Sequence, residues 1–415
     1  MVEPIIKNDA VVLGILLVIL SLIFKTSSSK HPFWKKFYTY IPALLLCYFI
    51  PSILNSLGIL SGNTSKLYFV ASRFLLPASI ALLTISIDLS AIKQLGFKAF
   101  IMFISGSIGI IAGGPISILI VNAFFPEIIN NLSSTDEVWK GLSTIAGSWI
   151  GGGANQVAMK EVFDVDDKIF SAMVAVDVII ANIWLAFLLY GSGINDRIDK
   201  WLNADSSSIK ELKSKIETYQ AQIIRIPDTS DTIKVLATGF GITAVAHIGA
   251  ESITPILINN APWLSRFSLT SNFFWLIVLT TTIAIILSFT RLREIEGIGA
   301  SRIGSVFIYV LVTTIGLKMN MFAIFDNTGL FLIGFLWMFF HAFLIIIVGK
   351  LIRSPFFFMA VGSQANVGGA ASAPIVASAF HPSLAPVGVL LAVLGYGLGT
   401  YGAWLCGIIM QTLSS

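Results

Sequence analysis

The sequence predicts an all-α polytopic membrane protein made of two inverted repeats, each of five transmembrane helices plus one glycine-rich break. Three observations predict it: the composition, a succession of apolar segments, and a broken motif that occurs twice. Of 415 residues, 56% are hydrophobic and 12% charged, and mean hydropathy is +0.87. A soluble domain carries about 25% charged residues. So large a deficit excludes a water-soluble enzyme, a disordered chain and a nucleic-acid binder, and the lipid bilayer becomes the solvent.

Crossing the hydrocarbon takes about 20 apolar residues. Candidate crossings run over 10–24, 38–54, 67–87, 99–122, 169–190, 232–258, 272–290, 303–324, 329–349 and 386–410. The first lacks a small-residue cleavage site and reads as a retained helix rather than a signal peptide. Cys47 and Cys406 lie in apolar runs and read as buried small hydrophobes.

Two further stretches, 141–159 and 355–380, are apolar but rich in Gly, Ser, Asn and Gln. Broken backbone at membrane depth survives only against protein or a watery cavity. Each is therefore expected to be a re-entrant hairpin or a discontinuous crossing. Loop charge favours hairpins. With both re-entrant, seventeen of the 26 basic residues fall on one face, which the positive-inside rule makes cytoplasmic. That parity places both termini outside, in a cell inner membrane.

The breaks repeat. GSWIGGGANQVA from Gly147 lies over GSQANVGGAASA from Gly362, an offset of 215 that sets Gly153 on Gly368. The same offset sets the segment from Ser171 over that from Pro386. The division expected is a first repeat over 1–190, a linker over 191–231 with an amphipathic helix carrying the Glu211–Lys215 pair, and a second repeat over 232–415. Five crossings per half invert the second half, a construction of secondary transporters.

The candidate solute-binding residues are Ser148, Asn155 and Gln156 in the first break, and Ser363, Gln364, Asn366 and Ser372 in the second. Amides and hydroxyls ligate Na⁺ or a carboxylate without burying a charge. Gly151, Gly152, Gly153, Gly368 and Gly369 let the backbone turn there. Asp177, an ionisable group in an apolar run, is the candidate for coupling to an ion or proton, with Asn182, Thr84 and Thr314 as supporting residues. His247 and Glu251 share a helix face at i,i+4. They read either as a proton-linked pair or as a mutually satisfied polar pair. His341 reads as a packing histidine. No cofactor, metal centre beyond Na⁺, or catalytic motif is expected, so the protein is not expected to be an enzyme.

The blocks at 147–159, 175–187 and 362–380 resemble the YjcL-like family of integral membrane proteins. At fold level that family is distantly similar to sodium/bile-acid, sodium/glutamate and 2-hydroxycarboxylate symporters and to cation/proton antiporters. The resemblance implies a core domain carrying the breaks, a scaffold domain, a homodimer and an elevator-type step. No arginine lies in the second break to clamp a dicarboxylate, because Arg353 stands just before it. The function expected is ion-coupled transport of a small organic solute, anionic or zwitterionic, with Na⁺ as coupling ion. Proton coupling through Asp177, a passive channel and a non-transporting sensor are the alternatives.

Overall fold

A computed structural model describes residues 4–41, 43–62, 64–86, 95–126, 135–204, 227–267, 269–318, 329–381 and 384–414. These residues are helices and their connections. Helices α1 (Asp9–Ser27), α2 (Pro32–Tyr40) and α3 (Ala43–Ser56) come first, then α4 (Leu67–Ile85), which has a π-helical turn over Ala71–Leu75. Next are α5 (Phe97–Phe124), α6 (Thr135–Val162), α7 (Asp167–Gly193) and the short α8 (Asn195–Leu202). The second half holds α9 (Thr229–Asn260), α10 (Asn272–Ser288), α11 (Ala300–Gly316) and α12 (Gly329–Leu351). It ends with α13 (Phe356–Val367), α14 (Gly369–Phe380) and α15 (Ala385–Ser414). The expected linker helix with Glu211 and Lys215 lies outside the described residues.

Seven of the described helices are long and apolar enough to cross a membrane, or eight if α10 and the 3-10 turn Arg291–Ile298 form one bent span. The protein is thus an all-α, multi-pass membrane protein. Of the ten expected crossings, seven fall on these long helices, and the other three fall on α3, α10 and α11, which are shorter. The second expected crossing is divided. Ile41 is extended (φ −121°, ψ 99°), as the residue before Pro42 tends to be, so α2 and α3 separate there. The outer faces fit lipid. Ile233, Val245, Ile248 and Ile256 on α9, and Phe339 and Phe343 on α12, are all exposed.

Helix starts follow local chemistry. Asn8 caps α1 with a 2.9 Å bond from the Ala10 N–H. Asp228 and Asp231 form a reciprocal capping box at the start of α9, which satisfies two otherwise orphaned N–H groups.

The two glycine-rich breaks are helical hairpins. In α6, Gly152 has φ 73° and ψ −174°, a conformation that only glycine adopts at little cost. The arms on either side then run back together. The Trp139 and Phe163 rings, at opposite ends of the segment, are 5.2 Å apart. A methyl placed on Gly147 would lie 2.5 Å from the Asn155 carbonyl oxygen, whereas eight residues of straight helix span about 12 Å. In the second break α13 and α14 fold back at Gly369, whose φ is 56°, and the Phe357 and Phe380 rings meet at 5.3 Å. The turns fall at Gly152 and Gly369, two of the five glycines expected to let the backbone turn, and the 215-residue offset that sets Gly153 on Gly368 does not superpose them.

The hairpins approach along α15 from opposite ends. Gly388 packs on Ala373 and Pro374 of the second hairpin, while Gly395 and Gly399 pack on Ile150 and Gly151 near the first turn. Gly407 packs on Ser143 and Phe163 at the first hairpin's base. The two turns meet in the middle, with a methyl placed on Gly369 lying 3.9 Å from Gly152 Cα. Helices α5, α7, α12 and α15 surround the hairpins. Helices α4, α9, α10 and α11 pack together beside them, and the Ser79 hydroxyl ties α4 to the Gly304 carbonyl of α11 at 2.7 Å.

Candidate functional site

Where the two turns meet, a cavity of about 370 Å³ opens between the hairpins, α7, α15 and the neighbouring α4 and α11. Nine of the expected residues line it: Ser148, Gly152, Gly153, Asp177 and Asn182 from the first half, and Gln364, Gly368, Gly369 and Ser372 from the second. The two sets stand about 215 positions apart in the chain. The fold brings them to one space.

Among the described residues that line this cavity, Asp177 is the only Asp, Glu, Lys, Arg or His. It is 5% exposed. Three donors converge on it: the Ser148 hydroxyl at 2.6 Å, the Trp149 indole N–H at 2.7 Å and the Gln156 amide at 2.9 Å. All three lie on the first hairpin. A carboxylate accepts at both oxygens, so three donors match it. Gln156 therefore reaches the site through Asp177 rather than by lining the cavity. Asn182 uses its amide N–H on the Val178 carbonyl at 2.7 Å.

Across the cavity, the Gln364 amide donates to the Ser372 hydroxyl at 2.6 Å. Its carbonyl oxygen is buried and has no partner among the described residues. Helix α14 begins here with no side-chain cap. Its first N–H groups and the positive end of its dipole therefore face the cavity.

Other expected residues brace the hairpins. The Asn155 amide donates to the Gly151 and Tyr396 carbonyls and accepts from the Thr400 hydroxyl. The Asn366 amide donates to the Gly362 and Phe103 carbonyls and accepts from Ser107. Ser363 sits in a chain with His341 and Trp184. The Trp184 indole donates to its hydroxyl at 2.8 Å, and His341 Nε2 lies 2.7 Å from it. His341 Nδ1 faces the Gly106 carbonyl at 3.0 Å. A carbonyl only accepts, so Nδ1 carries the proton and Nε2 accepts from Ser363. Gly151 lies behind the first turn against α15.

Three expectations are placed elsewhere. Thr84 on α4 and Thr314 on α11 are buried, and neither lines the cavity. The Thr314 hydroxyl is spent on the Leu311 carbonyl. The expected His247–Glu251 pair is replaced by another bond. His247 Nε2 reaches the Arg73 carbonyl of α4 at 3.0 Å, while Glu251 is exposed. An i,i+4 spacing fixes a shared face, but a neighbouring helix supplied the better partner.

Sequence reasoning misses Trp149, Tyr309 and Tyr396. Tyr309 and Tyr396 line the cavity, and Trp149 stacks edge-on against Trp337 at 5.3 Å while bonding Asp177. Asking what donor could satisfy a buried Asp177 points to Trp149, the indole beside Ser148.

Residues 14–413 match the family described as "Protein of unknown function (DUF819)". This chain belongs to that family. It is also 24% identical over 356 residues to the "Uncharacterized membrane protein YjcL" of Bacillus subtilis (strain 168), covering 84% of this chain and 85% of that protein. The family match spans both hairpins of this DUF819 protein, from α1 to the last turn of α15.

Proposed function

We propose that this protein is a secondary transporter in which the two hairpin turns and Asp177 form a central solute and ion site. The observation that carries the reading is the meeting of two oppositely directed hairpins beside a buried carboxylate. Discontinuous elements at mid-depth, with helix ends and free backbone groups, are how inverted-repeat transporters build their sites. The repeats are five crossings each, over 1–190 and 232–415. The hairpins with α5, α7, α12 and α15 act as the core, and α4, α9, α10 and α11 belong to the scaffold. The core slides against the scaffold in an elevator-type step within a homodimer. Both termini face outside, and the first hairpin enters from that side.

Cavity chemistry narrows the cargo. Asp177 needs a cation, and its three donors suit a carboxylate better than a carboxylic acid, which favours Na⁺ over a carried proton. The absence of Lys, Arg and His from the described lining disfavours a dianion. A small monoanion or zwitterion, placed at the start of α14 with Na⁺ near Asp177, satisfies both ends. Purified protein in liposomes should take up such a solute when a Na⁺ gradient is imposed, and D177N should lose the dependence. Flux that ignores both Na⁺ and pH gradients, or channel-like conductance, defeats the reading.

A further inference from the structure

The π-helical turn of α4 precedes Pro77, which stands four residues after Arg73 and has no N–H to give the Arg73 carbonyl. His247 of α9 takes that carbonyl at 3.0 Å. The carbonyl only accepts, so Nε2–H is the donor. The Arg73 side chain leaves the same turn, stacks over the Phe273 ring of α10 at 4.3 Å and donates to Glu161 Oε2 at 2.7 Å. The Tyr68 hydroxyl, one turn before, donates to the other oxygen of Glu161. Glu161 stands on the last turn of the first hairpin. The neighbouring Lys160 pairs with Asp167 of α7 at 2.9 Å, and also donates to the Tyr68 hydroxyl at 3.3 Å and lies 3.9 Å from Glu161 Oε1. Glu161 reaches across to α4.

We infer that Arg73, Tyr68 and Glu161 form a reversible latch between the first hairpin and α4, and that His247 is its positioning residue. The reversibility has a physical basis. A buried ion pair that parts leaves two uncompensated charges. Here a second cavity, about 630 Å³ and polar, opens beside the pair and is lined by Arg73 and Glu161. Arg73 is 32% exposed even while paired. Parted, both groups meet water. The bond is therefore strong enough to hold one state and not so costly to lose that it forbids another. His247 contributes by donating to the carbonyl that Pro77 leaves unserved. Pro77 bars relaxation to regular α-helix, so without His247 the carbonyl is orphaned and the turn that aims Arg73 at Glu161 loses its tie to α9.

That this latch opens during transport rests on the function proposed above. The latch itself does not, and it is tested without a solute. Hydrogen exchange over 153–166 is measured on the full chain in lipid nanodiscs for wild type, E161Q, H247A, H247Q and the E161Q/H247A double variant. Loss of a charge-assisted bond speeds exchange roughly tenfold. E161Q and H247A should each show it, and the double variant should be no faster than either. H247Q keeps an N–H donor and should stay within about twofold of wild type. Multiplying effects in the double variant, an unchanged H247A, or an H247Q as fast as H247A overturns the proposal. The expected exchange pattern in a protein that moves no solute would uphold the latch and count against transport.

Discussion

The two hairpins share one construction and differ in what they hold. Each is pinned by an asparagine in the same way. The amide bonds the carbonyl four residues back, across the turn for Asn155 and on the same arm for Asn366, and a carbonyl on a neighbouring helix. It then accepts a hydroxyl one turn further along that helix. Asn155 uses Tyr396 and Thr400 of α15, and Asn366 uses Phe103 and Ser107 of α5. The first hairpin is thus braced by the second half of the chain, and the second hairpin by the first half. Ser148 and Ser363, which correspond in the repeat, mark the difference. Ser148 donates to a carboxylate, whereas Ser363 sits between an imidazole and an indole. A shared scaffold carries ionic chemistry on one side only.

The sharpest way to break this comparison is to remove each polar partner. Asp177→Leu orphans three donors and should lower stability by about 3 kcal/mol or more. His341→Leu strands a carbonyl and a hydroxyl that can turn elsewhere, about 2 kcal/mol. Melting of the detergent-purified variants checks the order. D177N should also erase stabilisation by Na⁺, while H341Q retains it. Equal Na⁺ responses in the two would dissolve the asymmetry. Next come the pins. Asn155→Ala and Asn366→Ala each lose three bonds and should cost about 2 kcal/mol apiece. A large difference between them would show that the bracing is not equivalent. The turns come last. Gly152→Ala and Gly369→Ala impose positive φ on a side chain at about 1–2 kcal/mol.

Much of this is legible in the sequence because lipid is an exacting solvent. Glycines, amides and hydroxyls clustered in an apolar run cannot face hydrocarbon, so both breaks stand out from residue order alone. Asp177 stands out for the same reason. The matching pins do not. Asn155 lies on the second arm of its hairpin and Asn366 on the first, so the alignment that pairs Ser148 with Ser363 leaves the asparagines unpaired. Trp149 is hidden because an indole in an apolar helix looks like packing until its N–H is traced. The mark of the π-turn lies just past ASRFL, in Pro77, which cannot donate to the Arg73 carbonyl. His247 can be placed on a helix face, but the carbonyl it serves lies on another helix, and residue order does not say which helix packs there.

The meeting of the turns has an electrical consequence. A 12-residue arm such as α14 reaches about 18 Å, somewhat over half of a hydrocarbon layer about 30 Å thick. If water follows either hairpin inwards, the transmembrane voltage drops across the thin partition around Gly152 and Gly369 rather than across the whole layer. A cation displaced a short way past that partition then does most of the work of a full crossing, about 2.3 kcal/mol per charge at 100 mV. Small motions of the turns could thus be driven by, and reported in, membrane potential.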